Sequence, residues 1–268
     1  MPNYLTDFLG THHQPAEPNP RIISLVPSLT ELLFDLGLGD HVVGRTNFCV
    51  HPAGQVKHVQ SIGGTKKVNL EKVTSLNPTH AIVNIDETPK KLAEELTASG
   101  LHVIVTHPGS PEDNPALYRL IGGIFNRAER AAQLCAKFDQ AKRALGENTF
   151  RPNRVLYLIW QDPWMTVSSD TYISRTLERV NWQTVAHDPD IRYPAVELTA
   201  HFLVNVDIML FSSEPFPFKD KHVLAFHQAF PDFGGKSAII DAEMVSWYGS
   251  RAIPGLTYLS DFAKKLTS

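Results

Sequence analysis

Residues 111–146 read PEDNPALYRLIGGIFNRAERAAQLCAKFDQAKRALG, a long helical pattern in the middle of the chain. Its apolar residues recur at steps of three and four, which places them on one face of a helix. They are Leu117, Leu120, Ile121, Ile124, Ala128, Ala131, Leu134, Cys135, Phe138 and Leu145. Pro111 and Asp113 favour a helix start, and Gly146 favours its end. The Gly122-Gly123 pair favours a bend or a split, since glycine costs about 1 kcal/mol in a helix interior.

The same alternation of short apolar runs and helical patterns occurs on both sides of this central segment. Strands are predicted at residues 21–26, 41–44, 81–85, 101–106, 154–160 and 206–211. Helical patterns are predicted at residues 70–76, 90–100 and 170–180. Strands that alternate with helices are typical of parallel sheets with helices on both faces. We therefore predict an α/β fold of two Rossmann-like lobes with parallel sheets, joined by one long backbone helix.

The division of the chain follows from this pattern. We predict an N-terminal arm at residues 1–20, an N-terminal α/β lobe at 21–111, a connecting helical spine at 112–149 and a C-terminal α/β lobe at 150–268. The arm is polar and proline-rich, so its His12 and His13 are expected to be mobile rather than part of a site. Ser28 and Glu31 stand three residues apart and predict a capping box at the start of the first helix.

Composition limits the classes of function. The chain has 268 residues, is 43% hydrophobic and 20% charged, and has a formal net charge of -3 at pH 7. A packed core is expected, and the charge gives no reason to expect a nucleic-acid partner. No apolar run approaches the roughly 20 residues that span a bilayer, so we expect no membrane-spanning segment. The N-terminus lacks a basic region followed by an apolar core, which predicts a cytoplasmic location, or a periplasmic one if a leader has been removed.

The loops after the predicted strands are the candidate ligand-binding region. In open parallel sheets, ligands bind beyond the carboxyl ends of the strands. The selected loops are residues 47–51, 63–65 and 84–87 in the first lobe, and residues 160–164, 212–214 and 243–251 in the second. Trp160, Trp164 and Trp247 fall in these loops. Their rings offer rigid apolar contact area to a ligand. The alternative interpretation is that they pack the ends of the lobes against each other. The phosphate-binding glycine patterns of nucleotide enzymes are missing.

Cys49 and His51 form a second candidate. A thiolate and an imidazole suit a soft metal, and Asp86, Glu87 or Glu214 could complete the ligand set. A small buried cysteine beside a loop histidine explains the pair as well, and a nucleophile with its base is a third interpretation.

Three stretches carry a resemblance to a known family. They are RIISLVPSLTELLFDLGLGDHVVGRT at residues 21–46, VNLEKVTSLNPTHAIV at residues 68–83 and WYGSR at residues 247–251. With the helical spine, they resemble the substrate-binding proteins of ABC importers for vitamin B12 and ferric siderophores, a signal-less branch of which is called helical-backbone metal receptors. The resemblance covers nearly the whole chain from Arg21. It implies a ligand held in a cleft between two α/β lobes.

The resemblance also implies particular residues. Glu71 matches a glutamate that pairs with arginines of an ABC permease in the family, and Thr199 stands at the second-lobe position, with Glu197 two residues away. The expected docking residues are therefore Glu71 and Glu197. In the first lobe, Gly64-Thr65 and Ile85 stand where B12 binders have tryptophans. A corrinoid such as cobalamin, a ferric siderophore or other ferric chelate, haem, and a divalent metal all stay open as ligands.

The loops and the resemblance together give one set of candidate ligand-binding residues. The set is Phe48, Thr65, Lys66, Glu87, Trp160, Trp164, Tyr193, Glu214, Trp247, Tyr248 and Arg251. The main hypothesis is a solute-binding protein linked to ABC-type uptake, without chemistry on its ligand. The alternative is a cytoplasmic enzyme or chaperone of metal-cofactor metabolism, for example a chelatase-like protein that uses His51 and Glu87. A third hypothesis is an interaction module that binds no small molecule.

Overall fold

The chain forms two compact units in a computed structural model that describes residues 5–185 and 190–267. The first unit consists of the described residues up to Pro108, Glu112–Phe138 and Tyr248–Arg251. The second consists of Gly109–Pro111, Asp139–Trp247 and the described residues from Ala252. The boundary after Phe138 falls inside a continuous helix.

The first unit is built on a five-stranded parallel sheet. Its strands, β1 to β5, are Ile22–Ser24, Val42–Arg45, Gln60–Ser61, His80–Asn84 and His102–Thr106. They lie in the order β3-β2-β1-β4-β5. Ile22 of β1 pairs with Val42 on one side and with His80 on the other. β1 and β4 are buried along their whole length, and their central residues are apolar, whereas Ser24, His80 and Asn84 at their ends are polar.

Helices cover this sheet. They are α1 (Pro27–Asp35), α2 (Ala53–Val56), α3 (Leu70–Ser75), α4 (Lys90–Ala98) and α5 (Asn114–Ile124), with short 3-10 turns at Gly39–His41 and Pro111–Asp113. One core cluster packs Val73 and Leu96 against the sheet residues Ile23, Ala81 and Val83.

The central segment is split into two helices, as the glycine pair suggested. α5 ends at Ile124, and α6 (Ala128–Gly146) begins after a turn in which Asn126 has a φ of 55°. Gly122 explains the position of the split. A Cβ at Gly122 would lie 2.6 Å from the Cβ of Ala131, so only glycine lets α6 pack this closely. The expected apolar face is buried, apart from Ala128.

The second unit holds a four-stranded parallel sheet. Its strands, β6 to β9, are Asn153–Leu158, Trp182–Thr184, Ile208–Ser212 and Lys236–Ile240, in the order β7-β6-β8-β9. Its helices are α7 (Tyr172–Leu177), α8 (Ala200–Leu203), α9 (Asp220–Ala229), α10 (Ala242–Ser246) and α11 (Ala252–Thr267), with a 3-10 turn at Glu178–Val180. One core cluster packs the aromatic residues Phe211, Phe218 and Phe226 together with aliphatic residues.

The predicted α/β fold with parallel sheets in two lobes is confirmed, and two local predictions are wrong. α1 has no side-chain cap: Ser28 sits inside the helix after Pro27, and Glu31 binds Arg251 instead of the helix terminus. His13 does not lie on the surface of a free arm: its ring is buried, and its Nε2 lies 3.0 Å from Asp7 Oδ2. Within the described residues, no helix is both long and apolar enough to cross a membrane.

Candidate functional site

The topology of the first unit selects two of its loops. From β1 the chain proceeds to β2 and β3 on one side, and then to β4 and β5 on the other. Ligands of open parallel sheets bind at such a reversal, beyond the carboxyl ends of the strands. The loops at this point are the one that enters α1 after β1 and residues 85–88 after β4.

The segment Tyr248–Arg251 belongs to the same unit and is bound to this region. The Tyr248 hydroxyl donates to Glu87 Oε1 at 2.8 Å. Gly249 N donates to Asn114 Oδ1 at 2.6 Å, and the Tyr118 hydroxyl donates to Gly249 O at 2.9 Å. Gly249 has a φ of 84°, in the left-handed region that favours glycine. The side chain of Tyr248 and both backbone groups of Gly249 are therefore held by hydrogen bonds.

Arg251 is engaged by a carboxylate of the protein. Its Nε and Nη2 donate to the two oxygens of Glu31 at 2.8 and 2.7 Å, a bidentate pair in which the side chains are 13% and 17% exposed. Burial raises the pKa of Glu31, the charge of Asp35 adds to this effect, and Arg251 offsets part of it. The expected role of Arg251 in ligand binding remains a prediction. What the structure shows is that the guanidinium of Arg251 binds the carboxylate of Glu31 within the first unit.

The loops after β2 and β3 carry Phe48, Thr65 and Lys66. Asn47 N donates to Gly63 O at 2.7 Å, which joins the two loops. Phe48 is 60% exposed, and a Cβ on Gly64 would lie 3.6 Å from its ring. Lys66 is exposed, and Thr65 is partly buried. Phe48 and Lys66 therefore offer an apolar face and a charge to solvent at this edge of the sheet.

Cys49 has the surroundings of a structural thiol. It is fully buried, and its Sγ lies 3.0 Å from Thr30 Oγ1 and 3.2 Å from Thr46 Oγ1. Burial raises the pKa of the thiol, which disfavours the thiolate that metal binding or nucleophilic attack requires. Over the described residues, no three His, Cys, Asp or Glu side chains are grouped so that they could hold a metal ion.

The second unit has a corresponding reversal between β6 and β8. The loop after β6 carries Trp160 and Trp164, and the loop after β8 carries Glu214. Trp247 Nε1 donates to Glu214 Oε1 at 2.7 Å, so the tryptophan, which is itself buried, holds the carboxylate.

Phenylalanines support the two tryptophans of these loops. The Trp164 ring stacks on Phe218 with 6.1 Å between centroids, and the edge of Trp160 meets Phe216 at 5.6 Å. Trp160 remains 41% exposed. Trp160 therefore presents apolar surface at the carboxyl ends of the strands, whereas Trp164 is tied into the aromatic core.

Tyr193 lies on an extended segment that pairs with residues 164–168. Thr166 N donates to Pro194 O at 3.0 Å, and Val196 N donates to Trp164 O at 2.8 Å. Tyr193 is 37% exposed. The two expected docking residues lie elsewhere. Glu71 is exposed in the first turn of α3, and Glu197 is exposed just before Thr199, the N-cap of α8.

The structure thus brings the predicted residues together in groups. Glu87 joins Tyr248, Glu214 joins Trp247, and Phe48 lies beside the loop of Thr65. The sequence analysis missed the residues that contact Gly249, Arg251, Trp160 and Trp164: Glu31, Asn114, Tyr118, Phe216 and Phe218. The PFPF repeat directly after Glu214 was a usable signal for the two phenylalanines, because repeated aromatics beside a candidate loop indicate a packed platform. No local signal points to Glu31, Asn114 or Tyr118.

Comparison with known proteins places the chain in one family. Residues 22–233 match the periplasmic binding protein family. The vitamin B12-binding protein of Yersinia pestis (strain Pestoides F) is 26% identical over 186 residues, which are 68% of this chain and 65% of that protein. The chain thus aligns with less than two thirds of the length of these curated relatives.

Solved structures share the fold. The periplasmic vitamin B12 binding protein BtuF of Vibrio cholerae aligns with a TM-score of 0.78 and 18% identity, over 92% of this chain and 98% of that one. The periplasmic heme-binding protein RhuT from Roseiflexus sp. RS-1 aligns with a TM-score of 0.76 and 23% identity, over 93% and 99% of the two chains. With the family match over residues 22–233, these findings show that the chain belongs to the periplasmic binding protein family.

Proposed function

We propose that this chain is a solute-binding protein that holds a metal chelate or cofactor, such as a corrinoid, haem or ferric siderophore, at the carboxyl ends of its parallel strands. The family match carries the proposal, because it covers residues 22–233 and therefore both sheets up to the last strand. The chelate class is supported by relatives described as vitamin B12-binding and heme-binding proteins.

The chemistry of the loops supports the same function. Each unit presents an exposed aromatic residue, Phe48 or Trp160, and a carboxylate held by hydrogen bonds, Glu87 or Glu214. Apolar surface with a few fixed polar groups is typical of small-molecule sites. The family match also supports binding without chemical conversion over the chelatase-like alternative.

We further propose that the protein acts in the periplasm with an ABC permease. The family and the relatives described as periplasmic support this location, and give no support to the cytoplasmic one. Glu71 and Glu197 are exposed and available for docking. Counted from the two N-caps, however, the helix position of Glu71 in α3 corresponds to His201 in α8 and not to Thr199, which is itself the N-cap. A docking surface of this chain would therefore differ between its units.

Tryptophan-fluorescence titration tests the binding function. The probes are vitamin B12, haem, a ferric siderophore and, for comparison, a bare divalent metal salt. Quenching that saturates at one equivalent of a chelate is expected. Trp160→Ala should weaken the affinity by about tenfold, because it removes exposed aromatic contact area. Leu224→Ala, a change at another exposed apolar residue, is the matched control and should leave the affinity unchanged. Flat titrations with all three chelates would refute the proposal.

A further inference from the structure

Among the described residues, four histidines line one cavity of the first unit. The cavity has a volume of about 970 Å³ and lies between the N-terminal arm on one side and α4 and β5 on the other. His12 and His13 belong to the arm, His80 to β4 and His102 to β5. All four lie in the first unit, so their arrangement depends on that unit alone. Several groups that can bind a proton thus meet where the arm covers the sheet.

His80 lies in the wall of this cavity with little access to water. Its exposed fraction is 7%. Its Nδ1 lies 2.7 Å from Thr79 Oγ1, and its ring centroid is 5.1 Å from that of His102 and 5.0 Å from that of Phe125. These neighbours are uncharged, or cationic when protonated, so none of them neutralises a positive charge on His80.

Two anchors hold the arm over this cavity. At the first, Asp7 Oδ2 accepts a hydrogen bond from Val105 N at 3.1 Å and lies 3.0 Å from His13 Nε2. At the second, Ala16 N donates to Ile124 O at 2.7 Å, directly before the phenylalanine that His80 contacts. The arm is therefore bound to the outer edge of β5 and to the end of α5, on two sides of His80.

A protonated His80 would be a buried cation without an acidic partner. Within the described part of the chain it forms no ion pair with a carboxylate, and the buried carboxylate of the arm, Asp7, is bound to His13. Burial first, and then the charges of His102 and His13, lower the pKa of His80 from 6.5 to about 4. The closed arm therefore disfavours the charged ring.

The other charged groups of the cavity do not offset this effect. In the described cavity wall they are His12, Glu17, Lys90 and Glu94. All four are exposed, and Lys90 and Glu94 are 3.8 Å apart and pair with each other. Solvent screens exposed charges, so their influence on a buried ring is small.

We propose that the N-terminal arm is a proton-dependent latch: protonation of His80 favours an open state in which residues 7–16 have left β5 and α5. Asp7 holds the latch, and His80 is the group that responds to pH. In the open state the outer edge of β5 is uncovered and water reaches the His80 ring. This inference goes beyond the proposed function and requires no ligand.

The direction and size of the effect follow from linkage. A group with a lower pKa in the closed state binds its proton preferentially in the open state, so opening increases as pH falls from 6.5 towards 4. If His80 has its ordinary pKa in the open state, its contribution to the opening constant rises by about 20-fold between pH 7 and pH 5.

The Asp7–His13 pair does not produce this rise. Burial would raise the pKa of Asp7, but the bonds from His13 and from Val105 N outweigh burial and hold it below 3.8. Asp7 therefore stays ionised between pH 7 and pH 5. A protonated His13 would strengthen its contact with Asp7, so this pair opposes opening, and a variant at His80 is needed to isolate the effect of that ring.

Hydrogen exchange of the full chain at pH 5 and pH 7 tests the latch. The amides of Leu9, Thr11 and Val105 report on it, because all three donate to Asp7. The amide of Ile23, buried in the central strand β1, reports unfolding of the whole unit. Each rate is divided by the intrinsic rate at the same pH, which gives the frequency of opening.

The comparison of variants isolates His80. The increase in opening from pH 7 to pH 5 should be about 20-fold larger in the wild type than in His80→Gln, whose side chain does not titrate. His58→Gln, at an exposed position, is the matched control and should keep the wild-type increase. Because each variant is compared with itself at two pH values, any loss of stability from the substitution cancels.

The outcomes are distinct. An acid-induced increase at the three arm-dependent amides that exceeds the one at Ile23 and is lost in His80→Gln supports the latch. The same increase in the wild type and in His80→Gln would overturn it. Exchange of Val105 and Ile23 with one common opening frequency at both pH values would also overturn it, because the arm would then open only when the unit unfolds. Neither result bears on whether the chain binds a chelate.

Discussion

Arg251 shows how a single motif residue contributes through a distant partner. Its guanidinium binds Glu31, 220 positions away in the chain, and both side chains are largely buried. Removing one member of a buried pair leaves an uncompensated charge, which costs about 3–5 kcal/mol. We therefore expect Arg251→Ala to lower the free energy of unfolding by about 2–4 kcal/mol, since burial here is incomplete. Chemical denaturation measures this loss.

A second ion pair in the chain gives the control. Arg154 and Asp207 are 3.4 Å apart, but their side chains are 50% and 42% exposed. Exposed pairs contribute about 0–1 kcal/mol, so Arg154→Ala should change stability little. If Arg251→Ala and Arg154→Ala lower the free energy of unfolding by equal amounts, burial does not determine how much the Arg251 pair stabilises the protein.

At the same scale, the sequence predicted in which loops the candidate residues lie but not which partners they contact. The loop glutamates were selected by their position after predicted strands, and the WYGSR motif by position and by the family resemblance. Glu87 and Glu214 do lie at the reversals of strand order. Their partners could not be predicted, because a contact between residues 31 and 251 or 87 and 248 leaves no local pattern. Whether the selected residues bind a ligand remains a proposal.

Among the elements, the N-terminal arm departs furthest from expectation. The buried Asp7 carboxylate accepts hydrogen bonds from Leu9 N, Thr11 N, His13 Nε2 and Val105 N, at 2.9 to 3.1 Å. Phe8 N donates to Val105 O at 3.0 Å, so the arm covers part of the edge strand β5. A proline-rich, polar sequence gives no sign of such an anchor, because one side chain supplies it.

We expect Asp7→Asn to release this arm. An asparagine has one acceptor oxygen for the bonds that two carboxylate oxygens accept, and each buried donor left unsatisfied costs about 1–3 kcal/mol. Hydrogen exchange of the Val105 amide should accelerate, and proteases should cut within residues 5–16 sooner. Gln14→Ala, at an exposed position of the arm, should behave like the wild type. Unchanged Val105 exchange in the Asp7 variant would show that the anchor lies elsewhere.

His80 of β4 makes stability depend on pH. Burial first, and then the nearby His102 and His13, lower the pKa of His80 to about 4 from 6.5. Its neighbours include Thr79, whose Oγ1 lies 2.7 Å from His80 Nδ1, and the rings of His102 and Phe125. Between these two pKa values the unfolded chain binds the proton and the folded chain does not, so stability falls as pH decreases from 6.5 towards 4.

The expected loss from His80 between pH 7 and pH 5 is about 2 kcal/mol, because one pKa unit corresponds to about 1.4 kcal/mol. Urea denaturation at the two pH values measures it. His80→Gln should remove most of this difference, whereas His58→Gln, at an exposed position, should not. A pH slope that is the same in the wild type and in His80→Gln would contradict the assignment.

The longer and more deeply buried strands were predicted better from the sequence than the short, partly buried ones. Buried strands such as β4 and β8 were predicted to within about two residues, because three or four consecutive apolar residues bounded by polar ones are a strong signal. β3 and β7 were missed because they are two and three residues long and only partly buried. Such strands form through pairing with a neighbouring strand, which no short window of sequence contains.

For the whole molecule, alternation of strands and helices was enough to predict two parallel α/β units, and particular motifs were enough to indicate the family. The family match over residues 22–233 and the shared fold with vitamin B12- and heme-binding structures agree with both. The ligand was not predictable to the same degree, because it depends on a few side chains at loop ends rather than on the pattern that builds the sheets.

Native mass spectrometry tests the central claim most directly. The chain would be measured as isolated from its own host, and again after incubation with excess vitamin B12, haem and a ferric siderophore. We expect the mass of the chain plus one chelate, released when the protein is denatured, with the absorption band of that chelate in the same fraction. The mass of the bare chain in every preparation, even at the lowest collision energy, would contradict the claim that this protein binds a metal chelate.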